Sequence, residues 1–192
     1  WISLSTVMIG LFGLVCFFGT QATWAADGDH EWSSYLGAGA TDEGFGVAVD
    51  SAGNVIVSGT TQSTGWVSGG PDTTLDGPSD AFVAKFAPDG SHLWSRYVGG
   101  AGPEMARGVT VDASDNIYLC GQTSSAGWIN GGEDTTYGGV SDGFLAKLQP
   151  DGVDLWSTYL GDGASDNALE AHVDSMGNVI VCGVTSSAGW VS

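Results

Sequence analysis

The sequence predicts an all-β chain built from repeated four-stranded units. Three observations carry that prediction: a Gly-rich, Pro-poor composition, an internal repeat of constant length, and short apolar runs separated by hairpin-turn residues. With Gly 32, Pro 5 and 42% hydrophobic residues in 192, the chain is too apolar to stay disordered and too glycine-rich for a helical bundle. Its 22 acidic residues against 4 basic ones, a formal charge of −18, also exclude partners. A polyanionic surface repels phosphate backbones and anionic lipid, so neither nucleic acid nor an anionic membrane surface is expected as a partner.

The first 25 residues carry no charge, and an apolar run from Val7 to Phe18 precedes Thr23-Trp24-Ala25-Ala26. This pattern predicts a secretory signal peptide over 1–25, or a membrane anchor if the segment is retained. An exported protein follows in either case, placed outside the cell, in a periplasm or at the cell surface. All of the −18 then falls on residues 26–192.

Trp32, Trp94 and Trp156, each 62 residues from the next, open Trp-Ser-Ser-Tyr-Leu-Gly, Trp-Ser-Arg-Tyr-Val-Gly and Trp-Ser-Thr-Tyr-Leu-Gly. The same offset relates Val49-Asp50 to Val111-Asp112 and Val173-Asp174, and Asn54-Val-Ile-Val to Asn116-Ile-Tyr-Leu and Asn178-Val-Ile-Val. Each copy reads as four strands. The first two, Gly46 to Asp50 and Asn54 to Ser58, flank a three-residue loop. Its last position, Gly53, Asp115 or Gly177, suits a left-handed backbone. Asp50, Asp112 and Asp174 are its turn residues. The second pair, Asp80 to Phe86 and His92 to Val98, flank Ala-Pro-Asp-Gly-Ser, in which Pro88 presets φ and Gly90 makes the reversal.

A four-stranded unit with both faces apolar has to stack on copies of itself, and radial stacking makes a β-propeller. The blades are expected at about 46–98, 108–160 and 170–192, the third truncated, with 31–36 as an orphan outer strand that would complete the last blade of a ring. Two and a half blades do not close a ring. The chain therefore reads as a piece of a longer propeller, oligomerisation being the alternative way to close one.

The motifs Asp50-x-x-Gly53-Asn54, Asp80-x-Phe82-x-Ala84-Lys85 and Trp94-Ser-x-Tyr97-Val-Gly99 make the chain similar to the bacterial beta-propeller repeat family (SBBP repeats). The resemblance implies the propeller fold and leaves the activity open. The long connection departs from the family pattern, carrying Gly65-Trp66-Val67-Ser68-Gly69-Gly70 and Gly127-Trp128-Ile129-Asn130-Gly131-Gly132.

Strand alternation sends the long loops and the approaches to the inner strands to one rim, where ligands usually bind. The candidate ligand-binding residues there are Trp66, Trp128, Trp190, Asp72, Asp76, Glu133 and Asp134. Recurrence of the tryptophans in every copy favours a lid over each long loop, and a stacking platform for a sugar or a protein partner is the functional alternative. Carboxylates interleaved with Gly and Thr offer the oxygens that Ca²⁺ takes, but the two complete loops keep different acids. The expectation is a solvated rim with no cofactor, Ca²⁺ being the one ion the composition admits.

Glu170 and His172 share a face of the third inner strand and line the expected channel. Gly139-Val-Ser141-Asp-Gly143 imitates a nucleophile elbow without the strand and helix that motif needs. Cys120 and Cys182 occupy equivalent positions in neighbouring blades and read as small fillers rather than a disulfide. No catalytic residue is assigned. The functional expectation is a non-catalytic binding or scaffold module with a glycan or protein ligand. The alternative is a glycan hydrolase or lyase with acids converging on the channel mouth.

Overall fold

The computed structural model describes residues 31–188 together with the backbone of two short paired strands, β1 (Val7–Gly10) and β2 (Gly13–Cys16). The expected export segment 1–25 otherwise lies outside the described residues, as does Trp190.

Blade one is the antiparallel sheet β3 (Asp42–Val49), β4 (Val55–Thr61), β5 (Asp80–Phe86) and β6 (His92–Val98), paired in chain order. Blade two repeats it 62 residues on as β7 (Glu104–Val111), β8 (Ile117–Thr123), β9 (Asp142–Leu148) and β10 (Asp154–Leu160). Blade three consists of β11 (Asp166–Val173) and β12 (Val179–Thr185). The sheets do not close into a ring. The turn chemistry is as expected: Gly53, Asp115 and Gly177 have φ of 80°, 61° and 85°. Within the first of these turns the Asp50 carboxylate accepts the N–H groups of Ala52 and Asn54.

The inner strands begin four residues before the expected Gly46. The ladder shifts register between Gly44 and Gly46, between Ala106 and Gly108, and between Ala168 and Glu170, so Phe45, Arg107 and Leu169 are bulge residues. A bulge inverts the alternation of faces. The strand is therefore readable as alternation only beyond that point, and Asp42, Glu104 and Asp166 belong to strands rather than to approach loops.

Blades stack through apolar cores. Ile56, Val83 and Val98 of blade one meet Ile117, Leu119, Phe144 and Leu148 of blade two, and Tyr118, Cys120 and Leu145 meet Ala168 and Ala171 of blade three. Each long loop runs back beside its outer strand: Ser95 and Tyr97 donate their N–H groups to Ser68 O and Asp72 O at 2.8 and 3.1 Å. This covers an edge that would otherwise expose unpaired backbone.

The orphan segment lies on blade one as β6 lies on blade two. Trp32 Nε1 donates to Pro88 O at 3.0 Å and Trp94 Nε1 to Pro150 O at 3.2 Å, and Leu36 is buried among Val55, Val57 and Phe82. Residues 31–36 thus hold the place of an outer strand of a preceding blade. No strand is formed over 31–36.

Both described cysteines are free. Cys120 is buried, which pushes its thiol up to about 12. Cys182, its equivalent, is exposed, no described residue covering it.

Candidate functional site

The acids that start the inner strands are used internally. Asp42 accepts hydrogen bonds from Thr61 Oγ1, from Ser63 Oγ at 2.8 Å and from Ala38 N at 2.9 Å. Glu104 repeats this with Thr123 Oγ1 at 2.8 Å, Ser125 Oγ at 2.6 Å and Gly100 N at 2.8 Å. Asp166 takes Ser187 Oγ at 2.6 Å and Asp162 N at 3.1 Å. Glu104 is buried, and desolvation raises its pKa despite those three donors.

The clamp reaches the loop tryptophans. Trp66 Nε1 donates to Thr61 Oγ1 at 3.1 Å, and Trp128 Nε1 to Thr123 Oγ1 at 3.0 Å. Their rings stand edge-on to Phe82 and Phe144, with centroids 5.1 and 5.2 Å apart. Both indoles are half-buried lids with their polar atom engaged. Asp72 and Asp134 shape the long loops, each accepting the N–H two residues on, from Thr74 at 3.1 Å and Thr136 at 2.9 Å. Asp76 and Glu133 are exposed on those loops, and Glu170 and His172 are exposed on β11. Among the described residues no three His, Cys, Asp or Glu side chains are grouped to hold a metal ion.

Two of the predicted residues meet in one place. Asp72 and Trp128 both line a cleft of about 290 Å³ between blades one and two, together with Arg96, Asn130, Asp154 and Trp156. Arg96 is its buried wall. Its Nη1 donates to Gly152 O at 2.8 Å and to Asp154 Oδ1 at 2.9 Å, and its Nε to Tyr97 O at 3.0 Å. The cleft thus combines two half-buried indoles with carboxylate, carboxamide and guanidinium groups, the chemistry that stacks on an apolar sugar face and bonds its hydroxyls. A larger apolar groove of about 470 Å³ lies beside β12, lined by Leu145, Leu160, Val179 and Val181. It occupies the place equivalent to that of the Phe82 and Phe144 rings over Gly59 and Gly121, and so belongs to the incomplete third blade.

Comparison with known proteins agrees with this architecture. Residues 31–65 and 93–128 match the family model described as the beta-propeller repeat (SBBP), and residues 127–153 match a beta-propeller domain of unknown function, DUF5122. The chain is a beta-propeller repeat protein. It is 23% identical over 157 residues to the uncharacterized WD repeat-containing protein L264 of Acanthamoeba polyphaga mimivirus, a match covering 74% of this chain and 11% of that protein. The chain thus spans about a tenth of that relative's length. It is also similar to a crystal structure of a protein of unknown function from Bacteroides caccae, with 14% identity, a TM-score of 0.45, and coverage of 91% of this chain and 51% of that one.

In this propeller repeat protein all four basic residues are engaged inside the fold. Lys85 pairs with Asp50 at 2.9 Å, Lys147 with Asp112 at 3.2 Å and Arg96 with Asp154 at 2.9 Å. Arg107 lies over the Phe45 ring, 5.0 Å from its centroid. The acidic loops consequently have no compensating cation. Sequence reasoning passed over Arg96, Asn130, Asp154 and Trp156. The available signal was the repeated outer strand itself, where Arg96 replaces the Ser34 and Thr158 of the other copies.

Proposed function

We propose that this propeller repeat protein is an exported, non-catalytic binding module of the cell surface or the extracellular space, and that the cleft between blades one and two receives a neutral glycan. The observation that carries this reading is the convergence of Trp128 and Trp156 with Arg96, Asp72, Asp154 and Asn130 around one cleft. The surrounding excess of acids favours neutral sugars over uronate or sulfated ones. The non-catalytic reading is supported by the inner-strand carboxylates, since Asp42, Glu104 and Asp166 are each committed to Ser and Thr hydroxyls of their own blade. The apolar, uncharged start of the chain supports export.

The test is a glycan array probed with the full chain, followed by titration of any neutral glycan bound. Asn130→Ala and Asp154→Asn should each weaken that glycan by about fivefold or more, in line with loss of one or two hydrogen bonds. Undiminished binding by both variants would remove the cleft from consideration. Turnover of the glycan by the intact chain would replace the binding module with the enzyme reading.

A further inference from the structure

The cleft between blades one and two holds an ion pair that the stacking of outer strands on the next blade does not require. Where residues 31–36 lie on blade one, Trp32 Nε1 donates to Pro88 O just as Trp94 Nε1 donates to Pro150 O, and Leu36 is buried as Val98 is. Yet 62 residues earlier Ser34 and His92 stand in the places of Arg96 and Asp154. The same packing thus forms there without a guanidinium facing a carboxylate. The two members of the pair are also held unequally. Arg96 is fixed by backbone, Nη1 donating to Gly152 O at 2.8 Å and Nε to Tyr97 O at 3.0 Å, and only 7% of its side chain is exposed. Asp154 meets it through Oδ1 at 2.9 Å, with 64% of its side chain exposed. Asp154 is therefore the replaceable partner. An ion pair open to water adds little stability, but this carboxylate stands where an acidic ligand in the cleft would have to meet the guanidinium.

We propose that Asp154 sets the charge selectivity of this cleft: it occupies the seat on Arg96 that the carboxylate of a uronate would take, and so restricts the cleft to neutral sugars. This role rests on the cleft being a glycan site. A uronate entering the cleft meets a guanidinium already paired and a like charge beside it, and is turned away. Without the Asp154 charge, Arg96 keeps its two carbonyl acceptors, so the guanidinium stays in position with its charge uncompensated. A fixed, largely buried cation is the preorganised partner that a ligand carboxylate binds best. Asp72, the other carboxylate lining the cleft, is turned to its own loop, accepting the Thr74 N–H at 3.1 Å. It contributes to the field of the cleft without holding the seat.

The test is calorimetric titration of the full chain with two probes, a glucuronate-terminated oligosaccharide and its glucose-terminated analogue. Asp154→Asn should bind the glucuronate probe about tenfold or more tighter than the wild type does, while losing about fivefold for the glucose probe. Asp72→Asn, which removes the same charge from the same cleft, should change the glucuronate probe less than about threefold. Equal gains in the two variants would reduce the effect to net charge and overturn the assignment. Adding Arg96→Ser to Asp154→Asn should return glucuronate binding to the wild-type level, and a gain that survives it would show that Arg96 is not the seat. Binding of the glucose probe by the wild type with no glucuronate gain in Asp154→Asn overturns the selectivity role and leaves the glycan site standing. A glucuronate gain in Asp154→Asn, when the wild type binds no glucose probe, supports the seat on Arg96 and ends the neutral-glycan reading. Silence from both probes in every variant overturns both.

Discussion

Arg96 Nη1 lies 2.8 Å from the carbonyl oxygen of Gly152, and this bond ties the outer strand of blade one to the second hairpin turn of blade two. The same nitrogen reaches Asp154, whose side chain is 64% exposed, so water screens the ion pair and it contributes little. The carbonyl bond and the packed guanidinium stem matter more. Arg96→Ser, the residue of the first copy, should cost about 1–2 kcal/mol of stability in a urea melt, with the loss largely insensitive to salt. A loss abolished by high salt would mean that the ion pair dominates after all.

Glu104 is buried and accepts hydrogen bonds from two hydroxyls and a backbone N–H. Glu104→Ala should therefore destabilise by about 2–4 kcal/mol, because Ser125, Thr123 and Gly100 lose their acceptor in a site closed to water. Glu104→Asp should cost about half as much or less, since the first and third copies carry Asp at this position. Chemical denaturation of the two variants side by side decides the order. A fully tolerated alanine would show that the clamp is dispensable.

Asp115 sits in a left-handed conformation, φ 61°, and clasps the previous blade, accepting Ser51 N at 2.8 Å and Ser51 Oγ at 2.6 Å. Glycine at 115 would relieve the backbone and lose the clasp, whereas alanine would lose the clasp and keep the strain. Thermal melts should rank wild type above Asp115→Gly and that above Asp115→Ala, with the last about 1–2 kcal/mol down. Alanine ranking above glycine would refute the clasp as the reason for Asp at this turn.

The turn carboxylate Asp112 responds to acid. Burial pushes its pKa upward, but the bonds from Asn116 and Ser114 and the Lys147 ammonium outweigh that and hold it at about 2 against an ordinary 3.8. A depressed carboxylate adds stability that is fully present above the unfolded value and disappears as pH falls through the folded one. The stability difference between wild type and Asp112→Asn should accordingly be constant above about pH 4 and shrink between 3.8 and about 2. A difference that stays flat across that window would mean the carboxylate charge is immaterial.

Much of the fold was legible because the repeat makes each copy test the reading of the others. Turn residues such as Gly53 and Asp115, and strands such as β5 and β6, depend on local backbone preferences that the sequence displays directly. The inner-strand starts were not legible. The bulge at Phe45 breaks the alternation by which a strand is recognised, and that hid the membership of Asp42 and Glu104 in a hydrogen-bonded clamp. Of the candidate site, Asp72 and Trp128 were chosen for their rim position. Their partners Arg96, Asp154 and Trp156 lie on outer strands that a rim argument does not reach.

The sequence by itself determined the 62-residue unit, its four strands and the acid excess, because these follow from spacing, turn chemistry and composition. Only the tertiary structure decided what the repeated residues face. It set the loop tryptophans against Phe82 and Phe144 and brought Arg96 of one blade to Gly152 of the next. The first closes each long loop onto its own blade, and the second arises from stacking one blade on another, a contact between residues 56 positions apart that no local pattern encodes.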